Sequence, residues 1–189
     1  MNGNDATLLV VRAAHFAAEK HVGQRRKGEN AEPYFNHVAD VAVRIAEATE
    51  GADAALVAAG YLHDTIEDQN VTHAELVARF GLDVADLVAE VTDDKRLAKP
   101  ERKRLQIEHA AHASPRAKML KLADKCSNLT AILGSPPPDW PLLRRQEYFE
   151  WAHAVVAGCR GVNPRLEAQF DALYARRGDL ALAMTEANV

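Results

Sequence analysis

Nowhere does the chain string together the roughly 18 uncharged apolar side chains that a membrane-spanning helix needs. The first residues, MNGNDATLLVVRAAHF, carry no basic leader, and Arg12 and His15 interrupt their apolar run, so the pattern of a secretory signal is missing too. Cysteine is scarce. Cys126 and Cys159 form no CxxC pair and are too few for a disulfide framework, which fits a reducing, cytoplasmic setting. Alternating runs of β-branched residues are absent, leaving nothing from which to build a sheet. There is also no excess of positive charge: a net charge of −4 gives generic binding to nucleic acid no electrostatic basis. Internal repeats and low-complexity segments are lacking, apart from a general richness in alanine.

The composition, 48% hydrophobic and 26% charged, is too apolar for disorder and ordinary for a soluble globular protein. A chain of 189 residues fits one compact domain, 1–189, that buries roughly 70% of its unfolded surface. Apolar residues recur at helical spacing almost throughout, so the expected class is all-α. The pattern predicts helices over 5–21, 34–49, 53–68, 72–80, 83–92, 100–113, 115–133, 141–160 and 164–177. Thr72 with Glu75 forms a capping box, and Ser114-Pro115 and Asn163-Pro164 each place a side-chain acceptor before a first-turn proline. Gly81 suits a helix end, and SPPPDWP at 135–141 is a stiff loop, because proline disfavours helix in the residue before it.

Charge is distributed unevenly. KRLAKPERKR at 95–104 holds six basic residues against one Glu, and QRRKG at 24–28 holds three more. Basic segments in an acidic protein suit a small, highly anionic ligand, although solvated loops would have the same composition.

YLHDTIEDQN at 61–70 carries the sharpest signal. His63, Asp64, Glu67 and Asp68 crowd one side of a helix whose Leu56, Ala59, Leu62 and Ile66 form an apolar stripe. Carboxylates brought together beside a core repel one another, and a divalent cation removes the conflict; imidazole and carboxylate together suit Mn, Fe, Co or Zn. A His-Asp pair supplies two ligands. His37 in PYFNHVADVA and Asp124 in KMLKLADKCSNL are the candidates for the rest, though Asp124 also has Lys121 and Lys125 at pairing distance along its helix. His15, His21, His73, His109, His112 and His153 have no such context and read as structural or exposed.

This ordered set, H…HD…D, resembles the HD-domain metal-dependent phosphohydrolases. QRRKGENAEPYFNH, LHDTIED, EVTDDKRLAKPERKRLQ, SPRAKMLKLADK and QEYFEW narrow the resemblance to the small alarmone hydrolases of the RelA/SpoT homologue group, its metazoan members included, over about residues 8–178. The resemblance implies an all-helical HD fold and an Mn2+-dependent enzyme. Its reaction would remove the 3′-pyrophosphate of the nucleotides ppGpp or pppGpp, leaving GDP or GTP. It makes His37, His63, Asp64 and Asp124 the metal ligands and sets Glu67 and Asp68 beside the attacking water. It also gives Arg26 and Lys27 to a nucleotide-binding loop, Lys99, Arg144 and Tyr148 to phosphate recognition, and Asn128 to the nucleotide.

Arg25, Lys95, Arg102, Lys103 and Arg104 read as surface charges. The sequence departs from the family at Val38, where proline is common, and at Cys126, Ser127 and Thr130, where larger or basic groups are common; base contacts near Asn128 are affected most. With its end near 189, the chain is expected to be a stand-alone hydrolase without synthetic activity. Three alternatives remain at this level: a phosphatase for the 2′-phosphate of NADPH, an HD-domain phosphohydrolase of some other nucleotide, and a non-catalytic alarmone-binding module.

Overall fold

A computed structural model describes residues 3–181, so the outermost positions of the expected 1–189 domain lie outside the described residues. The helices, in chain order, are α1 (Gly3–Lys20), α2 (Phe35–Ala48), α3 (Ala54–Leu62), α4 (Thr65–Gln69) and α5 (His73–Phe80). They continue as α6 (Leu82–Val91), α7 (Lys99–Ala110), α8 (Pro115–Gly134), α9 (Leu142–Ala157) and α10 (Pro164–Ala175), followed by a 3-10 turn at Arg176–Gly178. Among the described residues the only β-type pairing is an isolated antiparallel bridge between Arg25 and Pro33, so the all-α expectation holds. None of the described helices is long and apolar enough to cross a membrane.

The centre is α3, apolar on every side because α1, α2, α6 and α8 enclose it. Leu56, Ala58, Ala59 and Leu62 have no exposed surface there. Gly60 lets α2 come close: a Cβ on it would lie 3.0 Å from the Ala42 Cα. The expected caps form, with the Thr72, Ser114 and Asn163 side chains accepting from the backbone N–H three residues on. Asp53 caps α3 in the same way by accepting from the Leu56 N–H at 2.9 Å. Gly81, at φ 87°, ends α5 as expected.

The single helix expected over 53–68 is in fact two. Periodicity runs through the interruption, but side chains take the carbonyls that would continue the ladder. The Thr65 hydroxyl donates to the Leu62 carbonyl at 2.7 Å, and His63 Nδ1 bonds the Gly60 carbonyl at 2.9 Å. His63 and Asp64 therefore stand in the break between α3 and α4, at the edge of the core. The Asp68 N–H still reaches the Asp64 carbonyl at 2.8 Å, so the expected spacing of Asp64 and Asp68 survives.

Candidate metal centre and its cavity

Three central helices each bring part of the site. His37 lies in the first turn of α2, His63 ends α3, and Asp124 sits midway along α8, beside the break that carries Asp64. Both imidazoles are almost fully buried, and their rings meet edge to face with centroids 5.2 Å apart. His37 Nε2 is 3.5 Å from Asp64 Oδ2 and 3.4 Å from Asp124 Oδ1. His63 Nε2 is 3.1 Å and 3.9 Å from the same two oxygens. One ligand atom from each of His37, His63 and Asp124 lies within 4.8 Å of the others, and Asp64 Oδ2 closes on both imidazoles.

The groups behind these atoms fix their orientation. The Gly60 carbonyl accepts His63 Nδ1–H, which leaves Nε2 facing the carboxylates, buried and without a well-directed hydrogen bond. Ser127 Oγ holds His37 Nδ1 at 2.9 Å, so that ring also turns Nε2 inward. The Tyr34 hydroxyl donates to Asp64 Oδ2 at 2.6 Å; Asn128 Nδ2 donates to Asp124 Oδ1 and Lys125 Nζ to Asp124 Oδ2, both at 2.7 Å. Asp124 thus accepts the ion pair with Lys125 that its sequence neighbours suggested, and still presents Oδ1 to the imidazoles.

Protonation follows from these contacts. Burial alone would lower the His63 pKa, but the carboxylates of Asp64 and Asp124 outweigh it and push it up to about 9. Burial would raise both acids. Asp64 is held well below the usual carboxylate range chiefly by His63, and Asp124 chiefly by Lys125. Burial, then the Asp64 charge, raises Tyr34, so it stays a neutral donor. A buried, unpartnered imidazole nitrogen facing two ionised carboxylates fits a divalent cation, and the absence of thiolate favours the harder transition metals.

Above the centre opens a cavity of about 960 Å³, whose lining includes Asp64, Glu67, Asp68 and Asp124 as well as all six expected nucleotide-contacting residues. Arg26 Nη2 donates to Asn128 Oδ1 at 3.3 Å, tying the 24–34 loop to α8. Gly28 makes that docking possible, since a Cβ there would sit 2.3 Å from the Ser135 carbonyl oxygen. Also in the lining, Arg144 lies over Trp140 at 4.4 Å, and Tyr148 packs between Trp140 and Trp151. The Lys99 pKa is lowered by burial and by the neighbouring charges of Arg144 and Lys27. Such mutual repulsion is what an anion would relieve.

Four of the five residues expected to be mere surface charges belong to this cavity. Lys95 pairs with Asp68 and approaches Glu67 to 3.8 Å, Arg102 lies 3.5 Å from Glu67, and Lys103 stacks on Trp151 at 4.7 Å. Arg25 also lines it, whereas Arg104 does stay on the outer face with Glu101 and Glu108. His21 is more than inert packing: it is buried and bonds Gln24 at 2.7 Å, behind Asp68. Ser127, a departure from the family pattern, supports His37 instead of a base. Tyr34 was not singled out from the sequence, because only the folded chain brings a residue 30 positions away onto Asp64.

The fold and this cluster define a class: the chain belongs to the HD domain family, whose pattern matches residues 13–152. More particularly, it is similar to the guanosine-3′,5′-bis(diphosphate) 3′-pyrophosphohydrolase MESH1 of Xenopus tropicalis, with 49% identity over 90% of this chain and 95% of that one. The human protein of the same name is 47% identical over 93% of this chain and 98% of its own. A solved structure described as a metazoan ortholog of SpoT that hydrolyzes ppGpp superposes with a TM-score of 0.86 at 44% identity, covering 90% of this chain and 96% of that chain.

Proposed function

We propose that this protein is a metal-dependent 3′-pyrophosphohydrolase of guanosine 3′,5′-bis(diphosphate), that it takes ppGpp or pppGpp, and that Mn2+ is its cation. The observation that carries the reading is the unpartnered His63 Nε2, aimed with His37 Nε2 at the Asp64 and Asp124 carboxylates in a cavity that Arg26, Lys27, Lys99 and Arg144 also line. Similarity to curated ppGpp hydrolases over nearly the whole chain supports the substrate.

His37, His63, Asp64 and Asp124 would hold the cation, which supplies a lowered pKa for water and polarisation of the phosphoryl oxygen. The chain supplies the rest. Ser127 and the Gly60 carbonyl keep both imidazoles turned inward. Arg26 and Lys27 receive the nucleotide, the guanidinium against the purine face and the ammonium at phosphate, with Asn128 at the base. Lys99, Arg144 and Tyr148 neutralise and orient phosphate. Tyr148 remains a neutral donor there, because burial pushes its hydroxyl up to about 12. Glu67 and Asp68, which line the same cavity, would manage the deprotonation of the attacking water.

Purified protein incubated with ppGpp and Mn2+ should yield GDP and pyrophosphate, and a chelator should stop the reaction. NADH and phosphate from NADPH, with ppGpp inert, would put the 2′-phosphatase in its place. Tight ppGpp binding without turnover at saturating Mn2+ would make the protein a sensor.

A further inference from the structure

Glu67 and Asp68 are adjacent in sequence but held very differently. Both oxygens of Asp68 are occupied: Gln24 Nε2 donates to Oδ2 at 2.8 Å, and Lys95 pairs with Oδ1. Gln24 has no freedom to turn its amide over, since its Oε1 accepts from Gln69 Nε2 at 2.5 Å and lies 2.7 Å from His21 Nδ1. His21 is buried and packs its ring, tilted, against Tyr34 with centroids 5.1 Å apart, so the support behind Gln24 is rigid. Glu67 has only long contacts, to the Asp93 N–H at 3.4 Å, Arg102 at 3.5 Å and Lys95 at 3.8 Å.

We propose that the two carboxylates divide the work: Glu67 is the general base, and Asp68 is a positioning residue clamped between Gln24 and Lys95. A base needs an oxygen free to turn to the water and take its proton, and each oxygen of Asp68 is already held by a donor, one by an amide and one by an ammonium. The oxygens of Glu67 are held only loosely. Burial, with the charges of Asp64 and Asp93, also raises the proton affinity of Glu67 above that of an ordinary glutamate. In the step itself, Glu67 takes one proton from water while the water oxygen bonds to the phosphorus borne by O3′. The phosphorus–O3′ bond breaks, its electron pair stays on O3′, and O3′ takes a proton from solvent as Glu67 gives its own back to solvent, so that one water adds across the bond.

The clamp has a second consequence. Gln24 opens the loop that carries Arg26 and Lys27, where the Tyr34 N–H returns to the Gln24 carbonyl at 2.9 Å, while Lys95 lies in the segment between α6 and α7. Asp68 therefore ties two basic segments to α4, and fixes how far each stands from Glu67. This division rests on the hydrolase reading above.

Steady-state kinetics with ppGpp and Mn2+ separate the roles. Glu67→Gln should lose about 10² to 10⁴ in kcat with KM little changed, and added formate should restore part of the turnover of Glu67→Ala. Asp68→Asn and Gln24→Met should each lose only about tenfold, the scale of one hydrogen bond to a charged group, and the double variant no more than either alone. The same pair should be non-additive in urea unfolding without nucleotide. Formate rescue of Asp68→Ala, a loss for Asp68→Asn as deep as for Glu67→Gln, or losses that multiply in the double variant would overturn the division. A wild-type protein that turns over no ppGpp overturns the hydrolase reading and the role of Glu67, while the unfolding cycle still decides the clamp.

Discussion

A buried imidazole nitrogen with no hydrogen-bond partner is costly, and His63 Nε2 escapes that cost only by taking a proton or a cation. The surrounding carboxylates raise the His63 pKa from its ordinary 6.5 to about 9, so without metal the folded protein keeps the proton. The sign follows: stabilisation from charged His63 is complete below 6.5 and lost as the pH rises through about 9. A cation has to displace that proton. Metal affinity should therefore climb with pH up to about 9 and then level off. Titration calorimetry near neutral pH, in buffers of different ionisation enthalpy, should find about one proton released per cation bound. Ser127 acts at the other imidazole. Ser127→Ala removes the partner of His37 Nδ1 and should weaken Mn2+ binding by about 10- to 100-fold, read by the paramagnetic resonance of free Mn2+. His37, His63, Asp64 and Asp124 were legible because motif residues advertise their chemistry. Ser127, Gln24 and Lys95 were not, since their importance comes from contacts 90, 44 and 27 residues away along the chain.

Among the helices, close approach matters more than propensity. Gly60 is where α2 and α3 nearly touch, and a Cβ there would press on the Ala42 Cα at 3.0 Å and the Ile45 Cδ1 at 3.1 Å. Alanine gains helix propensity, but backbone cannot yield as a side chain can. Gly60→Ala should therefore cost about 1–3 kcal/mol in urea unfolding, the range for overpacking, and spread the two histidines. Gly28→Ala tests a loop by the same argument. Its Cβ would meet the Ser135 carbonyl oxygen at 2.3 Å, pushing the Arg26-Lys27 loop off the end of α8, and KM for ppGpp should rise with kcat largely kept. The helices themselves were readable from periodicity, as were the caps at Thr72, Ser114 and Asn163. The break after Leu62 was hidden, because the apolar pattern passes straight through it and only the hydrogen bonds of Thr65 and His63 interrupt the ladder.

At the scale of the molecule, a chain of net charge −4 lines one cavity with eight Lys and Arg side chains and sets the Asp64 and Asp124 carboxylates among them. The two carboxylates lie where α2, α3 and α8, the innermost helices, present their buried polar groups to one another. A cation bound there joins all three, so metal binding should be visible as stability of the whole fold. Free metal at a hundred times its dissociation constant adds about 2.7 kcal/mol, if the unfolded chain binds none. For a chain of this length each kcal/mol raises Tm by roughly 2–4 °C, which makes the expected difference about 5–10 °C. Calorimetric melts with Mn2+ and with a chelator measure it directly. Asp124→Ala should abolish both the difference and the turnover, while Glu67→Gln should keep the difference and lose the turnover. A Glu67→Gln protein whose Tm no longer responds to Mn2+ would mean that Glu67 is a ligand and the general base must be sought elsewhere in the cavity.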